Sequence, residues 1–257
     1  MTLCVTLWQW GSNKPFYNHY GPDQVRAAAE KIGKYCTIPH RTVVLTDRPE
    51  LGPEAFGCEP IPLWEGWKNL PEGRTMPPGS WSRLGIFARD AHRHFGVATT
   101  DDFWVLNIDL DCVFLRDFTD TIRDYRDYTF KGWLSRGWRA SPCIYNASFS
   151  LLKLGAHPEV FDSFDPVRTP AILKAEGYVG TEQAQLSRAL GPNMPAWTWR
   201  DGIASYRFTV KGNPSINPAI VAMHGSDKPM WSTEPWVLAN YPSYARRPRP
   251  SGKGPTG

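Results

Sequence analysis

Residues 103–115 read FWVLNIDLDCVFL, and the fold turns on how this run is interpreted. Val105, Asn107, Asp109 and Asp111 alternate with Leu106, Ile108, Leu110 and Cys112, so at the strand period of two both carboxylates leave one face. An apolar run this continuous belongs to a strand buried in a mostly parallel sheet. Carboxylates ending such a strand lie where open α/β sheets bind ligands, beyond the carboxyl ends of the strands. Paired carboxylates repel unless a cation lies between them, and oxygen ligands at this spacing suit Mg²⁺ or Mn²⁺ carrying a diphosphate. Two loop aspartates capping the next turn would leave the same letters, so the pair alone decides nothing.

On the N-terminal side, residues 3–7 form a short apolar strand followed by a loop holding Lys14, Tyr17 and His19. Asp23 is the expected N-cap of a helix over 24–35. RTVVLTD (41–47) predicts a second strand ending on Asp47, and Pro49 stops it. Residues 57–80, rich in Pro, Gly and Trp, predict an irregular loop over one end of the sheet. SWSRLGIFARDAHRHFG (80–96) predicts a helix closed by Gly96. On the C-terminal side come an apolar segment, CIYNASFSLLKL (143–154), helices near 158–164 and 181–190, and strands near 197–199 and 220–223. Alternating strands and helices argue for an α/β, doubly wound, mostly parallel sheet with helices on both faces. One domain is expected over 1–244. ARRPRPSGKGPTG (245–257) cannot bury enough surface to order itself and is expected to be a disordered basic tail.

Composition narrows the class. The chain of 257 residues is 41% hydrophobic and 21% charged, which suits one large globular domain. Its net charge of +4 permits a nucleic-acid or anionic-membrane partner without requiring one, and much of the excess sits in the tail. Twelve tryptophans are a surplus that either fills the core or lines a sugar- or base-binding cleft. The five cysteines are scattered, with no C-x-x-C pair, which indicates neither a zinc ribbon nor a disulfide framework and fits a reducing cytosol. Cys4 and Cys112 are expected as buried thiols. No signal peptide and no apolar stretch of membrane-spanning length is apparent, so a cytoplasmic location, in a bacterium or a phage-infected cell, is expected.

Further motifs follow the carboxylate pair in order: Tyr145-Asn146-Ala147-Ser148, then Gly180-Thr181-Glu182-Gln183, then His224-Gly225-Ser226-Asp227-Lys228-Pro229. Together they resemble the nucleotide-sugar glycosyltransferases of GT-A fold, most nearly the retaining enzymes of glycosyltransferase family 8 and their bacterial and phage-encoded relatives. The resemblance spans residue 3 to about 231. It implies a Rossmann-like sandwich with a metal site at the end of the Asp-x-Asp strand. It also implies transfer of a sugar from a nucleotide sugar, UDP-linked by expectation, to a hydroxyl acceptor with retention. The acceptor is left open among a glycan or glycoconjugate, a protein and a hydroxymethylated pyrimidine of phage DNA.

Residue by residue, the resemblance makes Asp109, Asp111 and His224 the ligands of Mn²⁺ or Mg²⁺, and an imidazole among carboxylates shifts preference toward Mn²⁺. Here His224 and Gly225 are adjacent, where the family often has residues between them. Lys228 would grip the diphosphate from a Gly- and Pro-bounded loop able to close over the donor, where a lysine has few packing contacts. Arg83 would reach phosphate or sugar hydroxyls. Trp8, Trp10 and Gly11, at the end of the first strand, and Asp47, at the end of the second, would meet base and ribose. Asn146 and Gln183 would steady the donor sugar beside its anomeric carbon, and Glu182 would bind its hydroxyls; Thr181 and Glu182 also read simply as a helix start. Ser148 stands where the family more commonly has glycine.

Rival assignments are a HAD-type phosphatase with Asp109 as nucleophile, a nucleotidyltransferase, and a non-catalytic sugar-binding module. The first lacks its later acidic motif and the second its Gly-rich phosphate loop. The third leaves the carboxylate pair and the His-Gly-x-x-Lys loop without a role.

Overall fold

A computed structural model describes residues 2–11, 20–64, 78–135, 141–213, 215–225 and 227–242. The basic tail, Lys14, Tyr17, His19 and Ser226 lie outside the described residues. Among the described residues ten strands follow in order: β1 (Thr2–Gln9), β2 (His40–Thr46), β3 (Glu59–Pro62), β4 (Phe103–Ile108), β5 (Cys112–Phe114), β6 (Phe130–Leu134), β7 (Tyr145–Lys153), β8 (Ala196–Trp197), β9 (Ile203–Ser205) and β10 (Ile220–Ala222). Seven form a central sheet in the order β3-β2-β1-β4-β7-β6-β8, while β5, β10 and β9 form a small second sheet. The left half of the large sheet is parallel; β7 runs antiparallel to both β4 and β6.

Alternation along β1 and β2 divides the core into two layers. Leu3, Val5, Leu7 and Val44 pack with Val25, Ala28 and Ile32 of the helix Pro22–Tyr35. Cys4, Trp8, Val43 and Leu45 face the other way, against Trp81, Leu84, Phe87, Ala91, Leu173 and Leu186. Helices therefore cover both faces, as a sheet of parallel strands with apolar residues on either side requires. Cys4 and Cys112 are buried free thiols, and burial pushes Cys4 up to about 12. Among the described residues no helix is long and apolar enough to cross a membrane.

Four local expectations are corrected. The run 103–115 is two strands in two sheets, because the chain turns at Asp109, with the Cys112 amide donating to the Asp109 carbonyl (3.0 Å). The first long helix starts from Gly21, not Asp23: Pro22 occupies its first turn, and the Gln24 side chain accepts from the Gly21 amide (2.7 Å). Residues 80–96 form no single α-helix but a 3-10 segment, Pro78–Phe87, and a short helix, Ala91–His94. The loop expected from residue 57 includes β3, which pairs with β2.

Candidate active site

The carboxyl ends of β1, β2 and β4 bring Gly11, Asp47 and Asp109 to one edge of the sheet. Because β7 is antiparallel to β4, with Ile108 opposite Phe149, its beginning delivers Asn146 and Ser148 to the same edge. The Met223 amide donates to the Asp111 carbonyl (2.9 Å), so the small sheet brings His224 and the Lys228 loop alongside. Segments far apart in sequence thus converge where an open α/β sheet binds its ligands.

Arg83 is the centre of the charge arrangement. Its guanidinium pairs with Asp109 (2.6 Å) and Glu182 (3.1 Å) and lies over the Trp10 ring, 5.3 Å from the centroid. Burial opposes the Arg83 charge, yet Asp109 and Glu182 together hold its pKa above the ordinary range. Asp109 also accepts from the Ser148 hydroxyl (2.8 Å). Burial, with Asp111 and Glu182 nearby, pushes the Asp109 carboxyl up to about 6, against the pull of Arg83 and Ser148. Such a carboxylate is desolvated and shares too little positive charge with its neighbours. Asp111 is 6% exposed; its Oδ2 accepts from the Lys228 ammonium (2.6 Å), while its buried Oδ1 has no hydrogen-bond partner.

The remaining sequence-predicted residues fall around this cluster to different degrees. Asp47 accepts from the Gly11 amide (2.9 Å) through Oδ2, and its other oxygen is buried without a partner. Trp8 is 3% exposed, with its indole N–H donated to Asn107, so it belongs to the core; Trp10 is the more open ring. Thr181 donates to the Glu182 carboxylate rather than capping the helix Glu182–Leu190 through its side chain. Gln183 turns back to donate to the Val179 carbonyl (3.2 Å), and the Asn146 side chain accepts from the Ser148 amide (2.8 Å). His224 shares a hydrogen bond through Nε2 with the Ser205 hydroxyl (2.8 Å) and stacks on Phe208. The structure therefore brings Asp109 and Asp111 into one cluster without His224, and among the described residues no three His, Cys, Asp or Glu side chains group as metal ligands.

Arg207 and Asn107 carry no sequence signal as site residues. Arg207 pairs with Asp227 (3.0 Å), fastening the Lys228 loop to the segment Tyr206–Val210. Gly225 turns that loop with φ +70°, and a Cβ there would meet the Arg207 guanidinium at 3.1 Å. Asn107 links two strand ends, accepting from Trp8 and donating to the Ala147 carbonyl (2.7 Å).

No protein-family model matches the chain, and no curated protein sequence does so either. Solved structures do. The galactosyltransferase LgtC, in complex with donor and acceptor sugar analogs, matches with a TM-score of 0.61 at 13% identity, over 96% of this chain and 98% of that one. The apo form of the glycosyltransferase GlyE from Streptococcus pneumoniae TIGR4 matches with a TM-score of 0.58 at 14% identity, over 96% of this chain and 61% of that one. At such identities the likeness is one of architecture, and the chain carries the mixed α/β GT-A fold of these structures.

Proposed function

We propose that the chain is a nucleotide-sugar-dependent glycosyltransferase that moves a sugar, from a UDP-sugar donor, to a hydroxyl acceptor. The observation that carries this reading is one buried cluster, at the ligand-binding edge of a GT-A sheet, in which Asp109, Asp111 and Glu182 meet Arg83 and Lys228. Acidic and basic groups held together out of water suit a ligand that is itself both phosphate and polyol.

A divalent cation fits the donor set. The unpartnered buried oxygen of Asp111 and the desolvated Asp109 are hard oxygen ligands short of positive charge. Asp109 and Asp111 would hold Mn²⁺ or Mg²⁺, and the ion would screen the charge of the diphosphate. The other steps belong to the chain itself. Asp47 accepts the imide N–H of the base through its free oxygen, and Trp10 stacks against the ring. Lys228 and Arg83 neutralise the diphosphate as it leaves. Glu182 holds donor-sugar hydroxyls, and Asn146 and Gln183 steady the ring. Glu182 is engaged by both Arg83 and Thr181 and is no free base. The acceptor hydroxyl therefore gives its proton to the departing diphosphate oxygen. The acceptor C–O bond forms on the face from which that oxygen leaves, and the α configuration is retained.

The test is release of nucleoside diphosphate from a panel of nucleotide sugars with Mn²⁺ present. Turnover should appear with at least one donor and fall about 10²-fold or more in Asp111→Asn, since loss of a ligand charge removes several kcal/mol. No release from any donor would reject the transferase reading. Full turnover in EDTA, or in Asp111→Asn, would reject the cation site.

A further inference from the structure

A groove of about 1050 Å³ lies away from the carboxylate cluster, at the other end of the small sheet. In that sheet Cys112 pairs with Ala222 and Phe114 with Ile220. Asp111 therefore flanks one end of β5, and Arg116, which lines the groove, lies beyond the other, roughly 16 Å away at strand spacing. Gly202 and Pro218, which precede β9 and β10, line the groove as well. Thr37, just ahead of β2, is another lining residue, so the groove sits at the amino ends of strands whose carboxyl ends carry the site above. We infer that this groove is a second binding site, and that its ligand is a neutral oligosaccharide.

Three observations select that ligand. Trp199 lines the groove with 45% of its surface exposed, an unusual position for the largest apolar side chain. The Arg200 guanidinium lies 5.0 Å from the centroid of its ring and holds the indole in place. A fixed, exposed indole offers a flat apolar face to the C–H face of a pyranose.

The charges of the lining cancel. Asp120 pairs with Arg123, and Asp124 accepts from Lys131 (3.1 Å). The two remaining bases, Arg116 and Arg200, are matched by Asp117 and Asp201. A lining without net charge gives a polyanion such as nucleic acid no electrostatic hold. Many of these groups nevertheless reach water, with the Asp120 side chain 85% and the Arg123 side chain 74% exposed, and so present donors and acceptors to hydroxyls.

Apolar lining is sparse. Beyond the tryptophans it amounts to Ile216 and Pro218, too little for a lipid chain or the apolar face of a helix. Indole surface among carboxylates, guanidiniums and the Asn217 amide is left, which is the chemistry that recognises polyols. This inference goes beyond the transfer reaction and would stand if the carboxylate cluster had another role.

The full chain, without nucleotide, is applied to an array of immobilised neutral and acidic glycans. Neutral glycans should be bound. Trp199→Ala should weaken that binding about tenfold or more, leaving melting temperature and donor hydrolysis unchanged. Should that variant melt early, Asp120→Ala, at an exposed side chain, should show the same loss. Asp111→Asn should keep full glycan binding, which separates this site from the carboxylate cluster. The inference is overturned by an array with no neutral glycan bound, or by binding that survives both groove substitutions. Binding lost in Asp111→Asn, or displaced by duplex DNA, overturns it equally.

Discussion

Lys228 and Asp111 stand 117 residues apart in the chain and touch at 2.6 Å, with Asp111 buried. Placed by sequence in a Gly- and Pro-bounded loop, Lys228 reads as a lysine with few contacts whose loss costs little stability. The contact changes that expectation. Lys228→Ala leaves a carboxylate out of water without its partner, at a cost of about 3 kcal/mol. The melting temperature of the metal-free protein should fall by roughly 5–10 °C. Added Mn²⁺ should raise the variant's melting temperature more than the native protein's, because the ion replaces the missing charge. Equal melting of the two metal-free proteins would mean that the pair contributes nothing. At this scale the residue types were legible: Asp109, Asp111, Glu182 and Lys228 stand in the ordered motifs, and the family resemblance names Arg83. Their pairing was not, because nothing local tells an aspartate which distant cation will meet it. His224 and Gln183 show the same limit, since each finds its partner outside its motif: Ser205 for the histidine and Val179 for the amide.

Long, strongly patterned elements were readable from the sequence, and several short ones were not. β1, β2, β4 and β7 are six to nine residues long, enough for an apolar run to declare itself. β5 and β9 have three residues each, too few for any period, whereas β8 and β10 lie where strands near 197–199 and 220–223 are expected. The break at Asp109–Asp111 was hidden for a related reason, since the alternation of apolar and polar letters continues unbroken through the turn. The 3-10 segment Pro78–Phe87 carries apolar residues on a helical pattern, and only tertiary packing decides how tightly it winds. One element offers a sharp test of packing. On β6, a Cβ at Gly132 would meet the Tyr145 ring of β7 at 2.6 Å. That ring cannot easily retreat: it is fully buried, and its hydroxyl donates to the Gly191 carbonyl (2.8 Å) and accepts from the Met194 amide (3.1 Å). Gly132→Ala should therefore destabilise the protein by about 1–3 kcal/mol, read as a lower urea midpoint with unchanged slope. An unchanged midpoint would mean that the sheet accommodates the methyl group freely.

The whole molecule sets its chemistry by topology. Parallel strands on one side of β4 and the antiparallel β7 on the other aim strand ends at one edge from both directions, and the small sheet closes that edge from below with the Lys228 loop. The α/β class and the helices on both faces were legible because strand and helix patterns alternate through the first half of the chain. The second sheet was not, since its strands are short and come from segments up to about a hundred residues apart in sequence. A buried cluster of three carboxylates and two cations is costly to fold, and its position suggests a ligand that repays the cost. The most direct test of that account is calorimetric titration of the purified chain with UDP, with Mn²⁺ and then with EDTA. One UDP should bind per chain in Mn²⁺, at least about tenfold more weakly in EDTA and in Asp111→Asn. No UDP binding under any of these conditions, or equal affinity in all three, would contradict it.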